Sequence, residues 1–364
     1  MIVDIRGTNT RNKGAQLMLQ AACERIGDLF ELSVPPLLTD RTVRADLGLR
    51  TTLCDPVVPR MSSFAGNIVP SAIRHRRGLT SDREIGGVLD ASGFHYSDQF
   101  PVAYPRRSAL AGRSWQRRRI PKILLPQAFG PFDKPGTRRW SEEALEQAQL
   151  IFARDDVSEQ YVRTLRLSTP ILRSPDFTIG LKPRPIAPVS NDPFLAVVPN
   201  TKLFTHGGLN RARYVQLLAG LSRAARAEGL TTLVIVHEET DHDIAKEVSN
   251  TIGARVLRDA DPLVLKAALG QASAAVASRF HALVGCLSQS IPTLSLGWSH
   301  KYRELLNDFG VADRVLAEDS DPRAAIQRIL SDSAGNTRQK ERQSELSDQV
   351  DVMWERTINA LNGP

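Results

Sequence analysis

The segment Ser278-Arg279-Phe280-His281 has the densest chemistry in the chain. It follows a short apolar run, Ala274–Ala277, that reads as a buried strand, and it precedes His281–Gln289, which reads as a helix with Leu283 and Leu287 on one face. The first turn of a helix presents unpaired N–H groups and a partial positive charge, a setting for a phosphate or carboxylate. Arg279 adds a forked cation beside it. The same dipole disfavours the imidazolium of His281, and an arriving dianion favours it again, so His281 is a candidate general acid near neutral pH. The competing reading is a histidine that only satisfies backbone groups at a strand–helix turn.

Other candidates also fall at the ends of strands. Gly297-Trp298-Ser299-His300-Lys301 follows strand Thr293–Leu296 and opens a helix from Tyr302 to Phe309, so His300 or Lys301 can reach the same ligand. Lys301 reads equally as a solvated first-turn lysine. Near the start, Asn9 to Gly14 form a polar loop after strand Ile2–Ile5. Gly14 permits close backbone approach and Asn12 can hold a hydroxyl or phosphate, although Gly7 and Gly14 make neither a P-loop nor a GxGxxG fingerprint. The loop from Asp90 to Gln99 is rich in hydrogen-bonding groups, and Gly93 and Asp98 within it are candidates for binding a polyol. Arg154 follows strand Leu150–Ala153 and either faces a ligand or pairs with Asp155 or Asp156. His237 ends strand Thr231–Val236 and is a candidate substrate contact. The runs His237-Glu238-Glu239 and Asp241-His242-Asp243 lack the one-face spacing of metal ligands, so no metal site is expected.

Apolar β-branched runs alternate with amphipathic stretches throughout, which implies α/β architecture with parallel sheets. In the first half the strands are Ile2–Ile5, Gly87–Ala91, Lys122–Pro126 and Leu150–Ala153, with helices at Ala15–Ile26, Ser141–Leu150 and Ser158–Leu165. Three prolines among residues 183–188 exclude a helix or central strand there. The expected organisation is therefore a Rossmann-like domain over residues 1–182, a linker over 183–193 and a second Rossmann-like domain over 194–336. A polar helix over 337–364 is free to pack back on the first domain. Two such domains would enclose a ligand cleft lined by the carboxyl ends of their strands.

The 364 residues, 41% of them apolar, are enough for two cores. Cys23, Cys54 and Cys286 are an odd number without CxxC spacing, which argues against a disulfide framework or zinc and for a reducing, cytoplasmic setting. Asp4 stands where a signal peptide would carry positive charge, and no apolar run is long enough to span a bilayer. The net charge of +7 gathers in Arg74-His75-Arg76-Arg77 and between Arg106 and Lys122. Such runs are either solvated faces or attract an anionic membrane surface, which allows peripheral association at its inner face. Without recognition motifs or interleaved aromatic residues, nucleic acid is not an expected partner.

Several segments, in order, resemble the polysaccharide pyruvyl transferase family: Asn12-Lys13-Gly14-Ala15-Gln16-Leu17-Met18-Leu19, Leu124-Leu125-Pro126-Gln127-Ala128-Phe129-Gly130-Pro131-Phe132 and Ala153-Arg154-Asp155-Asp156-Val157-Ser158. Ser174-Pro175-Asp176, Ser278-Arg279-Phe280-His281-Ala282-Leu283 and Gly297-Trp298-Ser299-His300-Lys301-Tyr302 complete the set. The resemblance implies a GT-B-like fold with two facing Rossmann-like domains. It also implies transfer of the pyruvyl group of phosphoenolpyruvate to a sugar of a polysaccharide or glycan precursor, closing a cyclic ketal with no further cofactor. By motif position, His281 corresponds to the general acid, and Arg279, Arg154 and Lys301 to anion-binding cations. The family's Gly-Gly-Gly run is replaced here by Ala91-Ser92-Gly93. A nucleotide-sugar glycosyltransferase and a non-catalytic carbohydrate-binding protein are the alternatives. The acceptor sugar, whether it is lipid-linked, and the number of subunits are left open.

Overall fold

A computed structural model describes residues 1–53, 69–205, 207–297 and 299–363, so Cys54 and Trp298 lie outside the described residues. The chain divides into two compact units. The first comprises Met1–Arg11, Met18–Phe177 and Gln349–Pro364, and the second Asn12–Leu17 and Thr178–Asp348.

The first unit is built on an all-parallel sheet of eight strands. They are β1 (Ile2–Arg6), β2 (Glu31–Val34), β3 (Arg50–Thr52), β4 (Leu79–Thr80), β5 (Ile85–Asp90), β6 (Lys122–Gln127), β7 (Leu150–Ala153) and β8 (Ile171–Arg173). Their order is β4-β3-β2-β1-β5-β6-β7-β8, so the winding reverses between β1 and β5. Strands buried on both faces should be apolar runs, and Lys122–Gln127 is buried at every position. Lys122 is tolerated there because its ammonium donates to Ser108 Oγ at 3.0 Å and the Ala144 carbonyl at 2.9 Å. Burial still pulls its pKa down to about 8 against the raising charge of Asp90.

The helix Ala103–Arg117 is absent from the expectations above. Its inward positions, Pro105, Ala109, Gly112 and Trp115, are mostly small, and arginines dominate the remainder, so the apolar stripe is faint in sequence. Much of the basic charge noted above is locally paired. Arg74 makes two 3.0 Å bonds to Glu84, and Arg118 reaches Asp82 at 2.8 Å. Glu84 is held down to about pH 2, first by the hydrogen bonds from Arg74.

The second unit carries a five-stranded parallel sheet: β9 (Phe194–Val198), β10 (Thr231–Ile235), β11 (Arg255–Leu257), β12 (Ala274–Ala277) and β13 (Thr293–Ser295). The order β11-β10-β9-β12-β13 reverses between β9 and β12. Helices Arg211–Ala227, His242–Ile252 and Pro322–Ser331 contribute Leu218, Val248 and Ile326 to one apolar core with Val197, Val234 and Val276. The proline-rich segment is fastened to this unit. Gln271 accepts from the Val189 amide at 2.8 Å and Arg184 pairs with Asp261, while just before the segment buried Lys266 donates to the carbonyls of Thr178 (2.9 Å) and Leu181 (2.6 Å).

Candidate active site

The helix Phe280–Leu287 follows β12 after the two-residue turn Ser278-Arg279. That turn is rigid. The fully buried Ser278 accepts from Tyr214 OH at Oγ (2.9 Å), while its carbonyl accepts from Asn200 Nδ2 (2.6 Å) and Tyr302 OH (3.1 Å). Burial raises the Tyr214 pKa, so the hydroxyl stays a donor.

Arg279, the residue before the helix, is only 6% exposed and is claimed by two carboxylates. Asp241 receives a bidentate pair, Nε to Oδ2 at 2.6 Å and Nη2 to Oδ1 at 2.5 Å, and Glu238 closes on Nη1. Burial alone would lower its pKa, but the bonds and charges of Asp241 and Glu238 outweigh that and raise it. The cation expected to meet a ligand anion is thus engaged inside the protein and fixes the turn.

His281 is the second residue of the helix and half-buried, with its ring edge-on to Phe280 at 5.3 Å and 87°. Against it lies Gly14. A Cβ placed on Gly14 would overlap His281 Nδ1 and come within 2.8 Å of Cγ, so only glycine lets the imidazole stand there. Gly14 is itself placed by Asn12, whose Oδ1 accepts from the amides of Gly14 (2.9 Å) and Ala15 (3.2 Å) and so caps the helix Lys13–Ile26. That cap explains why the helix starts two residues before Ala15. The Asn12 amide donates to Glu238 Oε2 at 3.3 Å, which links the cap to the arginine cluster.

His237, two residues beyond β10, is 3% exposed. Its pKa falls to about 3, through burial first and then the positive charges of His281, Arg279 and Lys13. The imidazole is neutral at physiological pH. Lys301 stands over the Phe280 ring at 5.4 Å, and His300 opens the helix His300–Asp308.

The structure therefore gathers His281, Arg279, Asn12, Gly14 and His237 into one cluster, with Lys301 over the ring next to His281. Gly93, Asp98 and Arg154 belong to the first unit. There, buried Arg154 pairs with buried Asp176 at 3.1 Å. Asp98 accepts from the amides of Asp133 (2.5 Å) and Lys134 (3.1 Å), which anchors that loop. Gly93 has φ of +73°, a conformation suited to glycine. Three members of the cluster, Lys13, Glu238 and Asp241, are not among the candidate site residues read from sequence, where Glu238 and Asp241 stand only in acidic runs set aside as metal ligands and Lys13 only within the family motif. Among the described residues no group of three histidine, cysteine or acidic side chains is placed to hold a metal ion. Burial pushes the thiols of Cys23 and Cys286 up to about 12, so neither is a nucleophile at neutral pH.

The family model for polysaccharide pyruvyl transferases matches residues 12–300, which span the whole of this cluster but for Lys301. The chain belongs to that family. No curated protein sequence matches this pyruvyl transferase family member. Among solved structures it is similar to Anabaena Alr3699/HepE in complex with UDP-glucose (TM-score 0.60, 13% identity, covering 100% of this chain and 99% of that one). It is similar also to spinosyn rhamnosyltransferase SpnG (TM-score 0.57, 12% identity, covering 100% of both). It spans 63% of the longer Thermobaculum terrenum O-GlcNAc transferase mutant, covering 96% of its own length at 12% identity and a TM-score of 0.48. The fold is the α/β fold of GT-B glycosyltransferases. No helix among the described residues is long and apolar enough to cross a membrane.

Proposed function

We propose that the chain is a pyruvyltransferase that moves the pyruvyl group of phosphoenolpyruvate onto a sugar of a glycan precursor, forming a cyclic ketal and releasing inorganic phosphate. The observation that carries this reading is His281 at a helix N-terminus, seated against Gly14 and close to a neutral His237. A dianionic substrate beside that N-terminus favours the imidazolium, and the imidazolium protonates the methylene carbon. C3 becomes a methyl group, and C2 becomes an electron-poor centre that one sugar hydroxyl attacks with loss of its proton. A second hydroxyl then displaces phosphate from C2 and closes the ketal. One hydroxyl proton restores His281 and the other leaves with phosphate, so the ledger of protons closes.

The backbone N–H groups of the helix and Lys301 meet the substrate's charge in this scheme. Arg279 acts as a positioning residue, holding the turn through Asp241 and Glu238. By its place in the family motif Arg154 is read as an anion-binding cation, and in the first unit its guanidinium is paired with Asp176. Each step is proton transfer or displacement, and none calls for a metal or a further cofactor. A phosphoenolpyruvate-dependent step places the enzyme in the cytoplasm.

Phosphate release from phosphoenolpyruvate in the presence of a glycan panel tests the reading. His281→Ala should lower turnover by about 10²–10⁴ while phosphoenolpyruvate still binds. Near-full turnover in that variant would remove His281 from the acid role. Thermal stabilisation by a nucleoside diphosphate, with none by phosphoenolpyruvate, would instead favour a nucleotide-sugar glycosyltransferase.

A further inference from the structure

His281 stands between two helix starts that come from distant parts of the sequence within the second unit. Ser278-Arg279 leads into its own helix, Phe280–Leu287, and Asn12 caps the helix Lys13–Ile26, whose Gly14 meets the ring. Glu238 joins the two. It is the third residue beyond β10, and its backbone forms an isolated antiparallel bridge with Asn12. Its Oε2 accepts from the Asn12 amide at 3.3 Å and pairs with Arg279 Nη1, so both contacts fall on one oxygen.

Asn12 has no freedom in this arrangement. Its Oδ1 takes the amides of Gly14 and Ala15, so its side-chain nitrogen needs an acceptor, and the Glu238 carboxylate is that acceptor. Asp241 has a different task. It is fully buried, takes the forked pair from Arg279, and accepts from the Thr201 amide at 2.9 Å in the loop after β9. The Asp241 amide donates to the Glu238 carbonyl at 2.9 Å, which closes the turn that presents both carboxylates. Asp241 thus fixes Arg279 to the sheet, while Glu238 carries that restraint to Asn12 and so to Gly14.

Charge points the same way. Among the elements around the imidazole, the helix Lys13–Ile26 supplies Lys13, the turn supplies Arg279, and the helix His300–Asp308 supplies His300 and Lys301. The helix Pro262–Leu269 supplies Lys266, whose ammonium is spent on two carbonyls. The loop after β10 supplies neutral His237 with the carboxylates of Glu238 and Asp241. The charges of His281, Arg279 and Lys13 are all felt at His237, which places these groups within electrostatic reach of one another. A cation left uncompensated disfavours a neighbouring imidazolium, and a carboxylate favours it.

We propose that Glu238 is a positioning residue for His281: its carboxylate holds the two helix starts at the spacing the ring requires and supports the imidazolium form. That the imidazolium then donates a proton to substrate rests on the pyruvyl-transfer reading; its placement and proton affinity are properties of the free protein.

The test uses the full chain labelled at histidine. The His281 resonances, identified by their loss in His281→Gln, are followed by NMR through a pH titration without substrate. Glu238→Gln keeps the shape and removes the charge, and should lower the His281 pKa by about one unit. Glu238→Asp restores the charge and should bring the pKa most of the way back. Asn12→Ser keeps a helix cap but cannot reach Glu238, so it should loosen the His281 ring in relaxation measurements while leaving its pKa near wild type. In turnover, Glu238→Gln should lower kcat by about tenfold or more, with KM for phosphoenolpyruvate little changed. The alkaline limb of its kcat profile should move to lower pH with the NMR pKa, because a general acid is lost as it deprotonates.

An unchanged His281 titration in Glu238→Gln, equal shifts in the Gln and Asp variants, or a ring as rigid in Asn12→Ser as in wild type overturns the proposal. Should Glu238→Gln fail to fold, the Asp and Asn12→Ser variants still decide it, since the first must titrate near wild type and the second must loosen the ring. A wild-type protein that releases no phosphate from phosphoenolpyruvate removes pyruvyl transfer and leaves Glu238 to the NMR result. Turnover by wild type with a His281 titration indifferent to Glu238 has the reverse meaning.

Discussion

At the scale of single residues, the site depends on Gly14 as much as on His281. Gly14→Ala improves helix propensity, yet its methyl occupies the place of the imidazole. The expected outcome is a loss of about 10² in kcat with a melting temperature within a few degrees of wild type, since a misplacement near 1 Å is enough for that loss. Steady-state kinetics beside a thermal melt checks it. His237 yields a prediction about pH. Its folded pKa of about 3 lies below the ordinary value of 6.5, so between those values the unfolded chain binds the extra proton. Its contribution is complete above about pH 6.5 and is lost as pH falls toward 3, at up to about 1.4 kcal/mol per pH unit. Denaturant unfolding from pH 7 to 4.5 should therefore show a shallower decline for His237→Asn than for wild type. His281 was legible in the sequence because its signals are local, an apolar strand followed by a helix. The partners of Arg279 were not. Asp241 follows β10, which is separated from β12 by β9, and no local pattern reveals that sheet order.

At the scale of elements, regularity decided what could be read. Ala274–Ala277, Phe194–Val198 and Leu150–Ala153 are apolar runs and are strands at those boundaries. Strands β2 to β4 are two to four residues long and too short to show alternation. The proline-rich stretch reads as a linker, but the structure fastens it to the second unit through Arg184 and Val189, and holds the chain just before it through the buried ammonium of Lys266. Removing that group leaves two buried carbonyls without their donor. Lys266→Met should lower the free energy of unfolding by about 1–3 kcal/mol and open the segment around Arg184 to trypsin, as limited proteolysis would show.

At the scale of the whole molecule, each unit draws on sequence from both sides of residue 178. The first unit is completed by the end of the chain. Trp354 packs edge-on to Phe177 at 5.7 Å, Leu361 fills the space over Gly87, and Asp351 pairs with Arg25. Removing residues 349–364 should lower the melting temperature by several degrees and expose apolar surface to a hydrophobic dye, although no strand of either sheet is deleted. The two sheets share a design: each reverses its winding once, between β1 and β5 in the first unit and between β9 and β12 in the second, where the histidine cluster lies. The contact between Gly14 and His281 also bears on how related chains are sorted. The two positions act as one character in descent, because a side chain gained at the first evicts the imidazole at the second. If His281 is the acid proposed above, a homologue that keeps the histidine without the glycine retains the spelling of the motif and has lost its meaning.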